Sequence, residues 1–224
     1  MMKIVMINGS FRKNGATARI LKEMSRHLKE YGDADIEMIH VVDLELKYCT
    51  GCCNCYKTGE CIYKDGMEKI SDALDGADGI IFGSPTYASN VSGQMKVIIE
   101  RGHFIMEQSL QGKYAISVAT YENYGGRAAA NILSRMFTYS GAKVSGKIVA
   151  KNEFNSDPLE SHRLQKKIHK SVCNLHSDVL KQHRYLFQSM KHFLIFQIGI
   201  RPFVLKKGAQ YEGVMKYWEK KMMK

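Results

Sequence analysis

The residues of this chain best suited to chemistry are five cysteines within thirteen positions, Cys49, Cys52, Cys53, Cys55 and Cys61. Three of them, Cys49, Cys52 and Cys55, recur every third residue, and Cys61 returns after Gly59. Three thiolates at that spacing can turn around one iron–sulfur cluster, and a fourth from a nearby loop completes a four-sulfur site. Four thiolates also suit tetrahedral zinc. Without a metal they are free thiols or a disulfide pair. Clustered cysteines in a reducing compartment point to metal or redox work more than to structural cross-links. Cys53 is then a spare thiol, and the distant Cys173 reads as a small buried hydrophobe.

A second group sits in Asn8-Gly9-Ser10-Phe11-Arg12-Lys13-Asn14-Gly15-Ala16-Thr17. This stretch follows an apolar run and opens a helix-like pattern. A helix start offers unpaired N–H groups and a positive dipole end, both suited to a phosphate. Ser10 and Thr17 add hydroxyls, Asn14, Gly15 and Ala16 add backbone amides, and Arg12 adds charge. Neither the Gly-x4-Gly-Lys-Ser/Thr loop nor the Gly-x-Gly-x-x-Gly fingerprint is present, which disfavours triphosphate and dinucleotide sites and leaves a mononucleotide or a ligand-free capped helix. Two later turns have similar make-up: Pro85-Thr86-Tyr87 through Asn90-Val91-Ser92, and Thr120-Tyr121 through Tyr124-Gly125-Gly126. Their glycines let backbone approach a ligand closely, and their aromatic side chains can cover a flat ring.

These turns need elements to hold them at one place. Periodicity predicts strands at 3–8, 35–42, 78–83, 113–120 and 143–150, and helices at 16–31, 67–76, 92–108 and 126–140. Strand and helix alternate five times, which implies a parallel sheet covered on both faces and joined by right-handed crossovers. Ligands in such sheets bind beyond the carboxyl ends of the strands, where the three turns fall. Residues 158–185 read as one long helix, 193–205 as an apolar run, and 211–221 as a closing helix. The predicted organisation is a domain over 1–156, with the cysteine loop at 49–61, and a basic helical extension over 157–224.

The net charge of +11 belongs to that extension. Residues 161–224 carry 14 Lys and Arg against 3 Asp and Glu, while residues 1–160 carry 19 of each sign. The basic segment is a solvated face or meets an acidic partner, an anionic lipid surface, a phosphate-bearing substrate or RNA. It shows no RNA-binding module, which argues against nucleic acid. Thirteen residues are too few to span a bilayer, so packing on the core or on a second subunit is expected for 193–205; the alternative is that the run lies on a membrane surface, helped by the nearby lysines. The chain opens on a strand-like stretch with no signal-peptide pattern, so a cytoplasmic location is expected. Glu100, Arg101 and His103 read as surface or subunit-contact residues.

The segments Gly9-Ser10-x-Arg12, Gly83-Ser84-Pro85-Thr86-Tyr87 and Gly93-Gln94-Met95-Lys96 resemble the NAD(P)H-dependent FMN reductase branch of the flavodoxin-like superfamily. The resemblance covers residues 3–150. It implies a five-stranded parallel α/β sheet of order 2-1-3-4-5 and non-covalent FMN. Ser10, Arg12, Asn14 and Thr17 match its phosphate-loop positions, and Pro85, Thr86, Tyr87, Asn90 and Ser92 its second flavin loop. The segment Thr120–Gly126 departs from the more glycine-rich loop of the family. The cysteine spacing resembles the iron–sulfur flavoproteins of the same family, which implies a [4Fe–4S] cluster on Cys49, Cys52, Cys55 and Cys61.

The expected activity is transfer of electrons from NAD(P)H through FMN to a quinone, a nitro compound or another small acceptor. Hydride transfer of this kind requires no protein acid or base, so no catalytic side chain is assigned. The alternatives are an iron–sulfur flavoprotein that exchanges electrons with ferredoxin, and a non-enzymatic basic module that binds RNA or membrane. Relatives of this kind are commonly homodimers or homotetramers.

Overall fold

The strands form because their residues are apolar on both faces. In β1 (Met2–Asn8) and β3 (Gly79–Tyr87), alternate side chains enter two separate cores. Ile4, Met6 and Ile81 pack against α1 (Ala16–Lys29) and α7 (His162–Lys181) through Leu21, Met24, Ile168 and Leu175. Val5, Ile7, Ile80 and Phe82 face the other way. They meet α3 (Met67–Asp75), α4 (Gly93–Arg101) and α6 (Gly126–Tyr139) through Ile70, Ile98, Leu133 and Phe137. A computed structural model describes residues 1–222. Met223 and Lys224, the end of the expected extension, lie outside the described residues.

With β2 (Ala34–His40), β5 (Tyr114–Tyr121) and β6 (Lys143–Lys151), the parallel sheet has the order β2-β1-β3-β5-β6. A two-residue β4 (Asn90–Val91) pairs antiparallel with the end of β3. With β4 set aside, this is the expected 2-1-3-4-5 flavodoxin-like order. In register, Asn8 lies beside Gly83, and Pro85 beside Thr120. All three turns therefore leave one sheet edge.

Several element boundaries differ from expectation. β3 runs on to Tyr87 because Thr86 and Tyr87 pair with Val91 and Asn90. The helix expected over 92–108 breaks after Arg101. His103 takes a left-handed backbone (φ 44°), and α5 (Phe104–Glu107) restarts the helix. The helix expected over 158–185 starts instead at His162, capped by Ser161, whose Oγ accepts from the Leu164 amide. It stops at Gln182, with φ 49°.

The extension continues as α8 (Leu186–Leu194), a π-helical turn (Ile195–Ile200), α9 (Arg201–Lys207) and α10 (Glu212–Met222). Ile200, Val204 and Val214 form a third, small core with Tyr56, Met106 and Trp218. Of the run 193–205, Phe193, Leu194, Ile198, Phe203 and Leu205 are exposed, so only part of it packs on the core. Among the described residues, no helix is long and apolar enough to cross a membrane.

Candidate functional site

At the carboxyl edge of the sheet the turns enclose a cavity of about 560 Å³, within the range of small-molecule sites. Arg12, Asn14, Gly15 and Ala16 line one side. Pro85, Thr86 and Tyr87 come from the end of β3, and Thr120, Tyr121 and Tyr124 from the end of β5 and its turn. The chain that enters α1 through Gly15 has no side-chain cap, so the first-turn amides are left to bind a ligand. The Thr86 hydroxyl is buried without a hydrogen-bond partner. Buried polar atoms are rarely unpaired, and this one belongs to a residue that lines the cavity.

Other predicted residues build the walls without lining the space. Ser10 Oγ accepts from the Arg12 amide at 3.2 Å and shapes the first turn. Thr17 and Thr120 share a buried hydroxyl–hydroxyl hydrogen bond of 2.8 Å, which joins α1 to β5. Ser92 caps α4 and donates to the Gly9 carbonyl at 2.6 Å, so it fastens the second turn to the first. Asn90 accepts from its neighbour's amide at 2.8 Å, and Val91 is buried. Gly125 has φ +83°, and a Cβ there would lie 2.6 Å from Ser89 Cα. Only glycine lets the second and third turns meet so closely. Gly126 gives the same room to the Tyr121 ring.

Sequence reasoning missed a fourth wall. Asn152, Glu153, Phe154, Asn155 and Ser156 also line the cavity, and Arg12 lies 5.4 Å over the Phe154 ring. The signal was available, because the turn after the last strand leaves the same sheet edge as the others.

The cysteine loop forms a separate, smaller site. Cys49, Cys52, Cys53, Cys55 and Cys61 line a cavity of about 30 Å³ with Arg101 and His103. All are free thiols. Cys53 takes φ 58° as it turns into the short α2 (Asn54–Thr58). Arg101, expected at the surface, is 2% exposed. Its guanidinium donates to Asp65 at 2.5 Å, to the Lys47 carbonyl at 3.1 Å and to Cys61 Sγ at 3.3 Å. Glu100 stays exposed and pairs with Lys96, as expected of a surface residue.

Two cations thus face the sulfurs. Burial pushes the Cys61 thiol up, but the Tyr63 amide and Arg101 outweigh it and bring it below the ordinary thiol value. Burial opposes the His103 imidazolium, yet hydrogen bonds to Cys55 and Glu107 raise it to about 10. Among the described residues, no three metal-ligating side chains converge closely enough to hold an ion. The loop gathers four-sulfur donor chemistry without fixing a cage. Its donor set fits a thiolate-ligated cluster, since the donors are all sulfur and the neighbouring charge is positive. Cys173, expected to be buried, is half-buried and accepts from the Tyr31 hydroxyl at 3.0 Å. A further groove of about 250 Å³ carries Phe11 of the first turn and Tyr48, the neighbour of Cys49.

Comparison with known proteins adds to this geometry. The family described as NADPH-dependent FMN reductase matches residues 2–156. An iron–sulfur flavoprotein of Clostridioides difficile strain 630 is 36% identical over 221 residues, covering 97% of this chain and 98% of that one. Another, of Archaeoglobus fulgidus, is 36% identical over 128 residues, 55% of this chain and 56% of the relative. Among solved structures, RosB with a bound formylriboflavin phosphate intermediate superposes with a TM-score of 0.68 at 13% identity, covering 85% of this chain and 84% of that one. An apo NADH:FMN oxidoreductase gives 0.60 at 18% identity, covering 84% and 94%. These two likenesses concern the fold.

Proposed function

Because the chain belongs to the NADPH-dependent FMN reductase family, and is thereby an FMN-dependent oxidoreductase, we propose that the large cavity holds FMN and that Cys49, Cys52, Cys55 and Cys61 hold a [4Fe–4S] cluster. In this reading the protein is an electron carrier that exchanges electrons with a ferredoxin. When bound, FMN supplies the exchange between two-electron and one-electron chemistry, and the cluster supplies one-electron transfer.

The chain's own residues bind and orient. The uncapped start of α1 and Arg12 would take the phosphate. The buried Thr86 hydroxyl would gain a partner from the flavin ring edge, and Thr120 and Tyr121 would close the ring's other side. Arg101 and His103 would offset the negative charge of four cysteine thiolates. The unpartnered oxygen of Thr86, a residue that lines the cavity formed by converging turns, is the observation that carries the flavin assignment.

A second reading keeps FMN and takes electrons from NAD(P)H for a quinone, a nitro compound or a similar acceptor. The exposed rings of Tyr87 and Tyr124 at the cavity mouth favour it, since they offer flat faces to a nicotinamide.

One preparation tests both readings. Protein isolated without oxygen is assayed for acid-released flavin, iron and sulfide. It is then reduced with NADH, NADPH or reduced ferredoxin, and the flavin absorbance is followed. FMN with iron and sulfide, reduced faster by ferredoxin, supports the carrier. FMN without iron, reduced by a nicotinamide, overturns the cluster and supports the second reading. Colourless protein that does not bind added FMN overturns both.

A further inference from the structure

Helix α8 is built inside out. Leu186, Phe187, Met190, Phe193 and Leu194 recur at the spacing of one helical face, and all five are exposed, Leu186 at 77% and Phe187 at 75%. Ile198, Phe203 and Leu205 extend the exposed apolar set. Two of its polar residues, Gln188 and His192, face the protein instead. Gln188 accepts from the Val144 amide at 2.8 Å and donates to the Val144 carbonyl at 3.1 Å, on the edge strand β6. His192 hydrogen-bonds Gln108 at 2.5 Å. Two polar anchors thus hold the helix with its greasy side outward. A patch of this kind on a folded protein marks a contact surface.

Charge selects the occupant. Between Asp178 and Glu212 the chain has no acidic residue, but it carries Lys181, Arg184, Lys191, Arg201, Lys206 and Lys207. A two-fold contact sets the same patch against itself, so a second copy would bring these cations together with no acid from the same segment to answer them. An anionic bilayer offers hydrocarbon for the phenylalanines and leucines and negative headgroups for the lysines and arginines. We propose that residues 186–207 lie in the headgroup layer of an anionic membrane and hold this oxidoreductase at the bilayer surface. The π-helical turn and Pro202 sit within that stretch.

Sedimentation with vesicles tests this, using the full chain with its native flavin content. Phosphatidylcholine vesicles are compared with vesicles that also contain about 40% phosphatidylglycerol. The expected result is at least about tenfold greater binding to the anionic vesicles, lost again near 0.5 M salt. Phe187→Glu with Phe193→Glu should cut binding at least about tenfold, with melting temperature and flavin content unchanged because both positions are exposed. Lys206→Glu with Lys207→Glu should weaken binding by charge alone. Equal binding to both vesicle types, or none, overturns the proposal. So does a wild-type dimer that the phenylalanine variant splits while vesicle binding stays unchanged, because the face would then belong to a second copy.

Discussion

Replacing Asp65 by Asn leaves the Arg101 guanidinium buried without its counter-charge. The Arg101 side chain is 1% exposed and that of Asp65 9%. Arg101 Nε has no partner even in the wild type, and besides Asp65 the guanidinium donates, among the described residues, only to the Lys47 carbonyl and Cys61 Sγ. Removing one member of such a pair costs about 3–5 kcal/mol. For a chain of this size, each kcal/mol moves the melting temperature by roughly 2–4 °C, so the variant should melt about 6–20 °C lower at neutral pH. The pair also sets an acid limit. Burial works to raise the Asp65 carboxyl, but the Arg101 hydrogen bond and the Lys47 amide outweigh it, and its pKa falls below the ordinary carboxylate value. The stabilisation is therefore complete above about pH 4, the ordinary range for a free carboxylate. It is lost as pH falls through the lower native value. Thermal melts of wild type and Asp65→Asn from neutral pH down to about pH 3 should converge at the acid end. A double variant, Asp65→Leu with Arg101→Met, removes both charges and should recover most of the loss. A single variant that melts within about 2 °C of wild type, or curves that stay parallel into acid, would refute the reasoning.

Thr86→Val should weaken FMN binding by about three- to tenfold, the worth of one neutral hydrogen bond, in a flavin-fluorescence titration. The flavin-free protein should melt no lower, because the lost hydroxyl had no partner. Gly125→Ala places a side chain at φ +83° and 2.6 Å from Ser89 Cα. It should cost at least about 1–2 kcal/mol from backbone conformation alone, read as a lower urea midpoint and poorer flavin retention. Gly213→Ala would set a Cβ 2.2 Å from the Gly59 amide nitrogen. Limited proteolysis should then cut the 49–61 loop faster, with the core fragment still protected.

The doubly wound sheet was legible because it rests on local signals, apolar runs that alternate with amphipathic ones. The phosphate turn was legible for the same reason, since its small and polar residues sit between a strand and a helix. The segment Asn152–Ser156 is polar too but has no glycine, and its position at the sheet edge is what marks it as cavity wall. The broken helix at Gly102 and His103 was hidden by continuous apolar periodicity through residues 92–108. Its break relies on packing, since a Cβ on Gly102 would collide with the Phe104 ring. Arg101 reads as a surface cation because charge in a helix is usually solvated. Its burial depends on Asp65, which a distant loop supplies. The outward turn of Phe187 and Phe193 was likewise unreadable, because periodicity shows that a face exists and not which way it points.

Gly213 rests against Gly59, Tyr211 stacks on Tyr56 at 4.7 Å, and the Trp218 indole donates to the Met106 carbonyl at 2.9 Å. The support for the cysteine loop thus comes from residues far downstream of it in the chain. A ribosome adding about 5–20 residues per second delivers these contacts well after the loop has emerged, so a newly made loop waits without its scaffold until residues 211–218 follow. Any loading of that loop on its final scaffold comes after that segment has been made, and a nascent protein stalled before Gly213 would present its thiols on an unsupported loop to whatever oxidant or metal is at hand.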